Sequence, residues 1–144
     1  MIIRKSILED LDFIYHLGKE NLETQFSKET LKTFIIYDET YHVFSALKDK
    51  LIGYLILWES DTYGQIIDIV IEEKHRGKGY GSKLLDYGIN VLKGMNIKMV
   101  SLEVDEKNKD ALKLYLKAGF IKEKTLENYY ENSNGLLLVR RLDV

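Results

Sequence analysis

The chain has 144 residues, enough for one domain, and a domain of this size buries about 70% of the surface its unfolded chain exposes. With 45% hydrophobic and 31% charged residues it has an ordinary globular composition, and no apolar run nears the roughly 18 residues of a membrane-spanning helix. A balance of 21 basic against 23 acidic side chains, net charge -2, does not suit a nucleic-acid binder that neutralises phosphates, and the lack of cysteine excludes disulfides, zinc–thiolate sites and thiol-based covalent catalysis.

Residues 1–144 read as a single domain, with no repeat, proline-rich stretch or glycine/serine linker. The N-terminal segment Met1 to Ser6 lacks the basic-then-apolar pattern of a secretion signal, so cytoplasmic residence is expected. A strand is predicted over Ile2–Lys5, followed by a capping box of Ser6 and Glu9 and a first helix carrying Leu8, Leu11, Ile14 and Leu17 to about Gly18–Asn21. Ser27 starts a second helix with Leu31, Phe34 and Ile35. Tyr41–Leu47 and Leu51–Trp58, around Lys48-Asp49-Lys50, read as an antiparallel hairpin.

Gln65–Glu72 is a further strand, with Ile67, Ile69 and Ile71 expected on one face. From Gly79 the period becomes helical through Leu84, Leu85, Ile89 and Leu92, and Gly94 closes that helix. Lys98–Asp105 is a strand, Asn108–Ala118 a helix ended by Gly119, and Phe120–Leu126 with Leu136–Leu142 a closing pair. The order β-α-α-β-β-β-α-β-α-β-β predicts an α+β fold: a mixed, mostly antiparallel sheet of about seven strands flanked by four helices on its two faces.

A strand that runs through Arg76-Gly77-Lys78-Gly79-Tyr80-Gly81 into a helix N-terminus is an anion site on physical grounds. The first helical N–H groups lack intrahelical partners, the helix dipole places partial positive charge there, and Arg76 and Lys78 add charge. Both the P-loop G-x-x-x-x-G-K-[ST] and the dinucleotide fingerprint G-x-G-x-x-G would need glycine where Ser82 stands. A plain tight turn with a solvated basic cluster is the bland alternative. The pattern that matches is R-x-x-G-x-G, and with it the chain resembles the GNAT superfamily of N-acetyltransferases. That resemblance implies the GNAT fold and acetyl-CoA as co-substrate. It implies that Ile69, Val70 and Ile71 line the pantetheine arm and that Gly77, Lys78, Gly79, Tyr80, Gly81 and Ser82, with Arg76, hold the pyrophosphate.

Attack of an amine on a thioester needs a neutral nitrogen, a proton for the leaving thiolate and donors for the developing oxyanion. In Ser101-Leu102-Glu103-Val104-Asp105 the alternation sets Glu103 opposite Leu102 and Val104, as a solvated sheet face or as a general base. The run Leu102-Glu103-Val104, Asn108, Ala111, Leu114-Tyr115, Gly119-Phe120 resembles the L-E-V-x-x-x-N-x-x-A-x-x-L-Y-x-x-x-G-F pattern of RimI-type ribosomal-protein alanine N-acetyltransferases and related N-terminal acetyltransferases. The resemblance implies Glu103 as base, Tyr115 as the acid that protonates the thiolate, and Asn108 as a coenzyme contact. Read without it, Tyr115 is a core aromatic and Asn108 a helix N-cap. Asn128-Tyr129-Tyr130 resembles the N-Y-Y segment that such enzymes place in a strand-connecting loop over the acceptor, which makes Tyr129 and Tyr130 substrate contacts; the bland reading is a polar hairpin loop.

Two departures from the pattern bear on the acceptor: Glu23-Thr24-Gln25-Phe26-Ser27 replaces a proline- and tryptophan-containing segment, and Leu136-Leu137 replaces an acidic pair. His16 and His42 lack metal-ligand spacing, and no metal is expected. The expected protein is an acetyl-CoA-dependent N-acetyltransferase, monomer or homodimer, acting directly on a primary amine without nucleic-acid or membrane partners. The favoured acceptor is a protein or peptide α-amine; a free small amine (polyamine, amino sugar or amino acid) and a non-catalytic acyl-CoA-binding module are the alternatives.

Overall fold

The computed structural model describes residues 1–23 and 25–144. Thr24, part of the departure between the first two helices, lies outside the described residues. Seven strands form one sheet: β1 (Ile2–Lys5), β2 (Tyr41–Lys48), β3 (Lys50–Ser60), β4 (Tyr63–Ile71), β5 (Met99–Asp105), β6 (Ile121–Tyr130) and β7 (Ser133–Arg141). Four helices flank it: α1 (Leu11–Asn21), α2 (Lys28–Tyr37), α3 (Tyr80–Gly94) and α4 (Lys109–Lys117). The spatial order is β1-β2-β3-β4-β5-β7-β6, and every neighbouring pair is antiparallel except β4 with β5. This is the mixed, mostly antiparallel sheet expected from the element order. Among the described residues no helix is long and apolar enough to cross a membrane.

Each sheet face carries its own apolar cluster. Leu84, Leu85, Ile89 and Leu92 of α3 pack with Tyr115 and Phe120 on Phe44, Leu55, Leu57, Val100, Leu102 and Leu138. On the other face Ile14, Leu17 and Leu31 from α1 and α2 cover Val43, Tyr54, Ile56 and Val70. The strict alternation of Val43 with Phe44 and of Leu55 with Ile56 builds both clusters from the same strands. Full burial of each such aliphatic side chain is worth about 1.5–3 kcal/mol.

Three local expectations are corrected. The Ser6/Glu9 capping box does not form. The Ser6 hydroxyl instead meets the Ser45 hydroxyl at 2.6 Å, and the Ile7 N–H donates to Asp10 at 3.0 Å. Asp10, 3% exposed, is also held by Arg4 at 2.7 and 3.2 Å and by the Ser45 hydroxyl at 2.8 Å. Its competitor for the role, Glu9, is exposed. The second correction concerns β4. Ile56 opposes Asp68 while Leu57 opposes Ile66, so Ile67 is an extra residue, a β-bulge. The bulge turns Ile67 to the α1/α2 face, away from Ile69, which packs with the α3 cluster beside Ile71.

The third concerns Asn128-Tyr129-Tyr130, expected in a connecting loop but found within β6. β6 and β7 lose register between Leu126 and Tyr130, Asn128 adopts φ 54°, and the N–H of Asn128 is tied to the Asn134 side chain at 2.9 Å. His42 is buried and bridges Asp38 (2.7 Å) and Glu59 (3.1 Å), which fastens β2 to β3 and to the end of α2.

Candidate active site

β4 and β5 pair over three residues only, Tyr63, Gly64 and Gln65 against Met99, Val100 and Ser101. The join is pinned by Ser101, fully buried, whose hydroxyl meets the Tyr63 hydroxyl and accepts from Gln65 at 3.3 Å. Beyond Gln65 the two strands part. The edges of β4 from Ile66 and of β5 from Leu102 that face each other carry no ladder, although β3 and β7 continue to pair on their outer sides. Two adjoining cavities, of about 270 and 310 Å³, occupy the gap. Unpaired strand edges lining a cavity are donor and acceptor rows for an extended ligand that carries amide groups.

At the open end of β4 the chain makes one 3-10 turn, Glu73–His75, and then the glycine-rich turn into α3. Gly77 (φ 77°) and Gly79 (φ 85°) are left-handed, a conformation that favours glycine, and a Cβ at either would meet nothing within 4 Å. The turn geometry therefore accounts for these two glycines, and the open space around them leaves the backbone accessible to an anion. No side chain caps the N-terminus of α3, so its first N–H groups are available. Arg76 differs from its expected part as a free charge: Nε donates to the Ile71 carbonyl at 2.8 Å and a terminal nitrogen to Asn21 at 2.6 Å, so the side chain struts the turn against β4 and α1. Lys48, which the sequence did not single out, hydrogen-bonds the Tyr80 hydroxyl at 2.7 Å and so holds that phenol below its ordinary pKa.

Of the residues assigned to the pantetheine arm, Ile69 borders the second cavity, whereas Val70 and Ile71 are 5% and 7% exposed and belong to the two cores. Glu103, Asn108 and Tyr115 come together on that same cavity. Asn108 caps α4, its side-chain oxygen accepting the Ala111 N–H at 3.2 Å, and still reaches the cavity wall. Tyr115 is 7% exposed, and burial, helped by Tyr130 and Asp68, raises its pKa well above the usual phenol value, so it keeps its proton at neutral pH.

Gln25, Phe26, Tyr129 and Tyr130 wall the first cavity together with Glu103 and Asp68. The Tyr129 ring lies on Gly135, where a Cβ would come within 3.0 Å of it, and the Glu103 carboxylate pushes its phenol up to about 12. Tyr130 is likewise pushed up to about 12, mainly by burial.

Sequence reasoning missed Asp68. It lines both cavities, takes a hydrogen bond from the buried Tyr54 hydroxyl at 3.3 Å, and burial pushes it up to about 6. The signal was present, because Asp68 is the one charge in the run Ile66-Ile67-Asp68-Ile69-Val70-Ile71. Among the described residues no group of three or more His, Asp or Glu side chains is placed to hold a metal ion. The lining of the two cavities contains four carboxylates, Glu23, Asp68, Glu103 and Asp105, and no lysine or arginine.

Residues 8–120 match the model of the Acetyltransferase (GNAT) family. The chain is 28% identical to an uncharacterized N-acetyltransferase of Methanocaldococcus jannaschii, over 96% of this chain and 90% of that protein. It is 27% identical to a putative bS18 ribosomal-protein alanine N-acetyltransferase of Bacillus subtilis, over 91% and 87%. Among solved structures, Ard1 from Thermoplasma volcanium superposes with a TM-score of 0.85 at 25% identity, covering 97% of this chain and 96% of that one. With the parted strands, the glycine-rich helix start and a family match over most of its length, the chain belongs to the Acetyltransferase (GNAT) family.

Proposed function

We propose that this acetyltransferase moves the acetyl group of acetyl-CoA directly onto the α-amine at the N-terminus of a protein or peptide. The observation that carries the reading is the meeting of Glu103 and Tyr115 on one cavity where β4 and β5 part. Acetyl-CoA supplies an acyl group on a good leaving thiol. The residues fit it: unpaired edges of β4 and β5 for the amide-bearing arm, and the exposed amides of Gly77 to Ser82 for the pyrophosphate. Glu103 takes the proton that the attacking nitrogen sheds, and Tyr115, kept protonated by burial, gives one to the departing sulfur.

Two observations favour a single α-amine over a polycation. Glu23 accepts the Glu131 N–H at 2.7 Å and Asp105 accepts from the Lys107 N–H and the Ser133 hydroxyl, so both fasten the β6–β7 end of the site. Only Asp68 and Glu103 border both cavities as carboxylates, enough for one ammonium. The putative function of the Bacillus subtilis relative supports the same reading. Acceptor profiling with thiol release as the readout tests it. Peptides beginning with Ala, Ser or Met should react at least about tenfold better in kcat/KM, roughly 1.4 kcal/mol of discrimination, than spermidine, glucosamine or free amino acids. Equal or better turnover of a free amine would replace it with the small-amine reading.

A further inference from the structure

We infer that Asp68 is the acceptor-side counterion of this site: its carboxylate pairs with the incoming ammonium group, opposite Glu103, and accepts the first proton that the nitrogen gives up. The inference rests on the reading of the cleft as an amine site and adds a residue to it.

The bulge at Ile67 is what brings Asp68 there. In an unbroken ladder the residue would simply continue the alternation of β4, but the inserted residue re-aims the strand where its partner β5 leaves it. Asp68 then borders both cavities from the β4 wall as Glu103 does from the β5 wall. A carboxylate set in an apolar run needs a partner. Asp68 has a poor one, a single hydrogen bond from Tyr54 at 3.3 Å, well beyond the 2.7–2.8 Å usual for O–H···O. Asp10, elsewhere in the fold, has Arg4, Ser45 and the Ile7 N–H around it.

Tyr54 from β3 is hydrogen-bonded to Asp68, and the titratable groups that share its cavities are Glu103 and Asp105 from β5, Tyr115 from α4, Tyr129 and Tyr130 from β6, and Glu23 beyond α1. None is a cation, so the space between Asp68 and Glu103 attracts one. Burial sets Asp68 at about 6, so it is mostly ionised at neutral pH yet basic enough to share a proton with an amine. The step is balanced. An N–H bond of the ammonium breaks and its proton passes to an Asp68 oxygen. The freed lone pair then forms the C–N bond as the C–S bond breaks, the second nitrogen proton goes to Glu103, and the sulfur takes one from Tyr115.

Calorimetric titration of a short peptide with a free N-terminal amine into the CoA-loaded protein tests this without turnover. Asp68→Asn should weaken peptide affinity at least about tenfold, the scale of a lost charge-assisted hydrogen bond, with CoA affinity unchanged. Tyr54→Phe removes the hydrogen bond that lowers the pKa of Asp68, so the acid midpoint of peptide binding should move to higher pH; this variant carries the test if Asp68→Asn does not fold. Peptide affinity unchanged in Asp68→Asn, an unmoved midpoint in Tyr54→Phe, or no amine binding by the wild type each overturns the inference. Peptide binding that depends on Asp68 with no acetyl transfer from acetyl-CoA would sink the proposed function and leave the counterion role standing.

Discussion

Replacing Tyr115 with phenylalanine separates a chemical role from a packing role. The ring is 7% exposed and stacks edge-on with Phe120 at 6.1 Å between centroids, contacts that phenylalanine keeps. Among the described residues the hydroxyl has no hydrogen-bond partner, and it is not sealed from solvent, because Tyr115 opens on the second cavity. Removing it therefore leaves no buried group unpaired, and unfolding free energy should change by no more than about 0.5 kcal/mol. A general acid contributes about a hundredfold to ten-thousandfold, so turnover should fall by that range, or roughly 2.7–5.5 kcal/mol of barrier. Urea unfolding, thiol-release kinetics and acetyl-CoA calorimetry on the same preparation give the three quantities. Turnover within about threefold of wild type would refute the acid role. A stability loss above about 1 kcal/mol would show instead that the hydroxyl has a structural partner.

Asp10→Asn should cost about 3 kcal/mol, the lower end for a broken buried pair because Arg4 is partly exposed, measured by urea unfolding at pH 7. Burial alone would raise the pKa of Asp10, but the hydrogen bonds from Arg4, Ile7 and Ser45 outweigh it and hold the group below 3.8. Its contribution is thus complete above the unfolded value and lost as pH falls through the lower folded value, so the variant should show a shallower acid limb; an unchanged limb would contradict the assignment. Gly135→Ala places a methyl 3.0–3.3 Å from the Tyr129 ring. Tyr129 is half exposed and can swing away, so stability should hold within about 1 kcal/mol while acceptor KM rises and acetyl-CoA affinity stays put. An unchanged acceptor KM would remove Tyr129 from the acceptor wall.

Features encoded by neighbours along the chain were legible in the sequence. The glycine-rich turn announces itself because left-handed backbone at Gly77 and Gly79 restricts the residue type, and Asn108 because an N-cap acts on the residues immediately after it. Features that depend on distant strands were not. Ser6 looked like a cap until Ser45, 39 residues away, supplied a better partner for its hydroxyl. Ile67, Ile69 and Ile71 alternate in sequence, and nothing local marks Ile67 as the extra residue; the bulge shows only in the pairing of β4 with β3, where Ile56 opposes Asp68 and Leu57 opposes Ile66. Asp68 did carry a local mark, a lone charge in an apolar run, but the surroundings that make it a site residue come from β3, β5, α4 and β6 rather than from β4 itself.

The brief pairing of β4 with β5 also bears on how the molecule responds to its ligands. In backbone terms the sheet is two plates, β1–β4 and β5–β7, joined along one short seam from Tyr63 to Gln65. Beyond that seam, its Ser101 hydrogen bonds and the Glu131–Glu23 contact at the far end, the plates are joined mainly by apolar packing, which is non-directional and tolerates a small rotation that a continuous ladder would resist. A ligand that bonds to both free edges would fix the angle between the plates. The first substrate to arrive would then act as a splint, and the second would meet a stiffer enzyme than the first did.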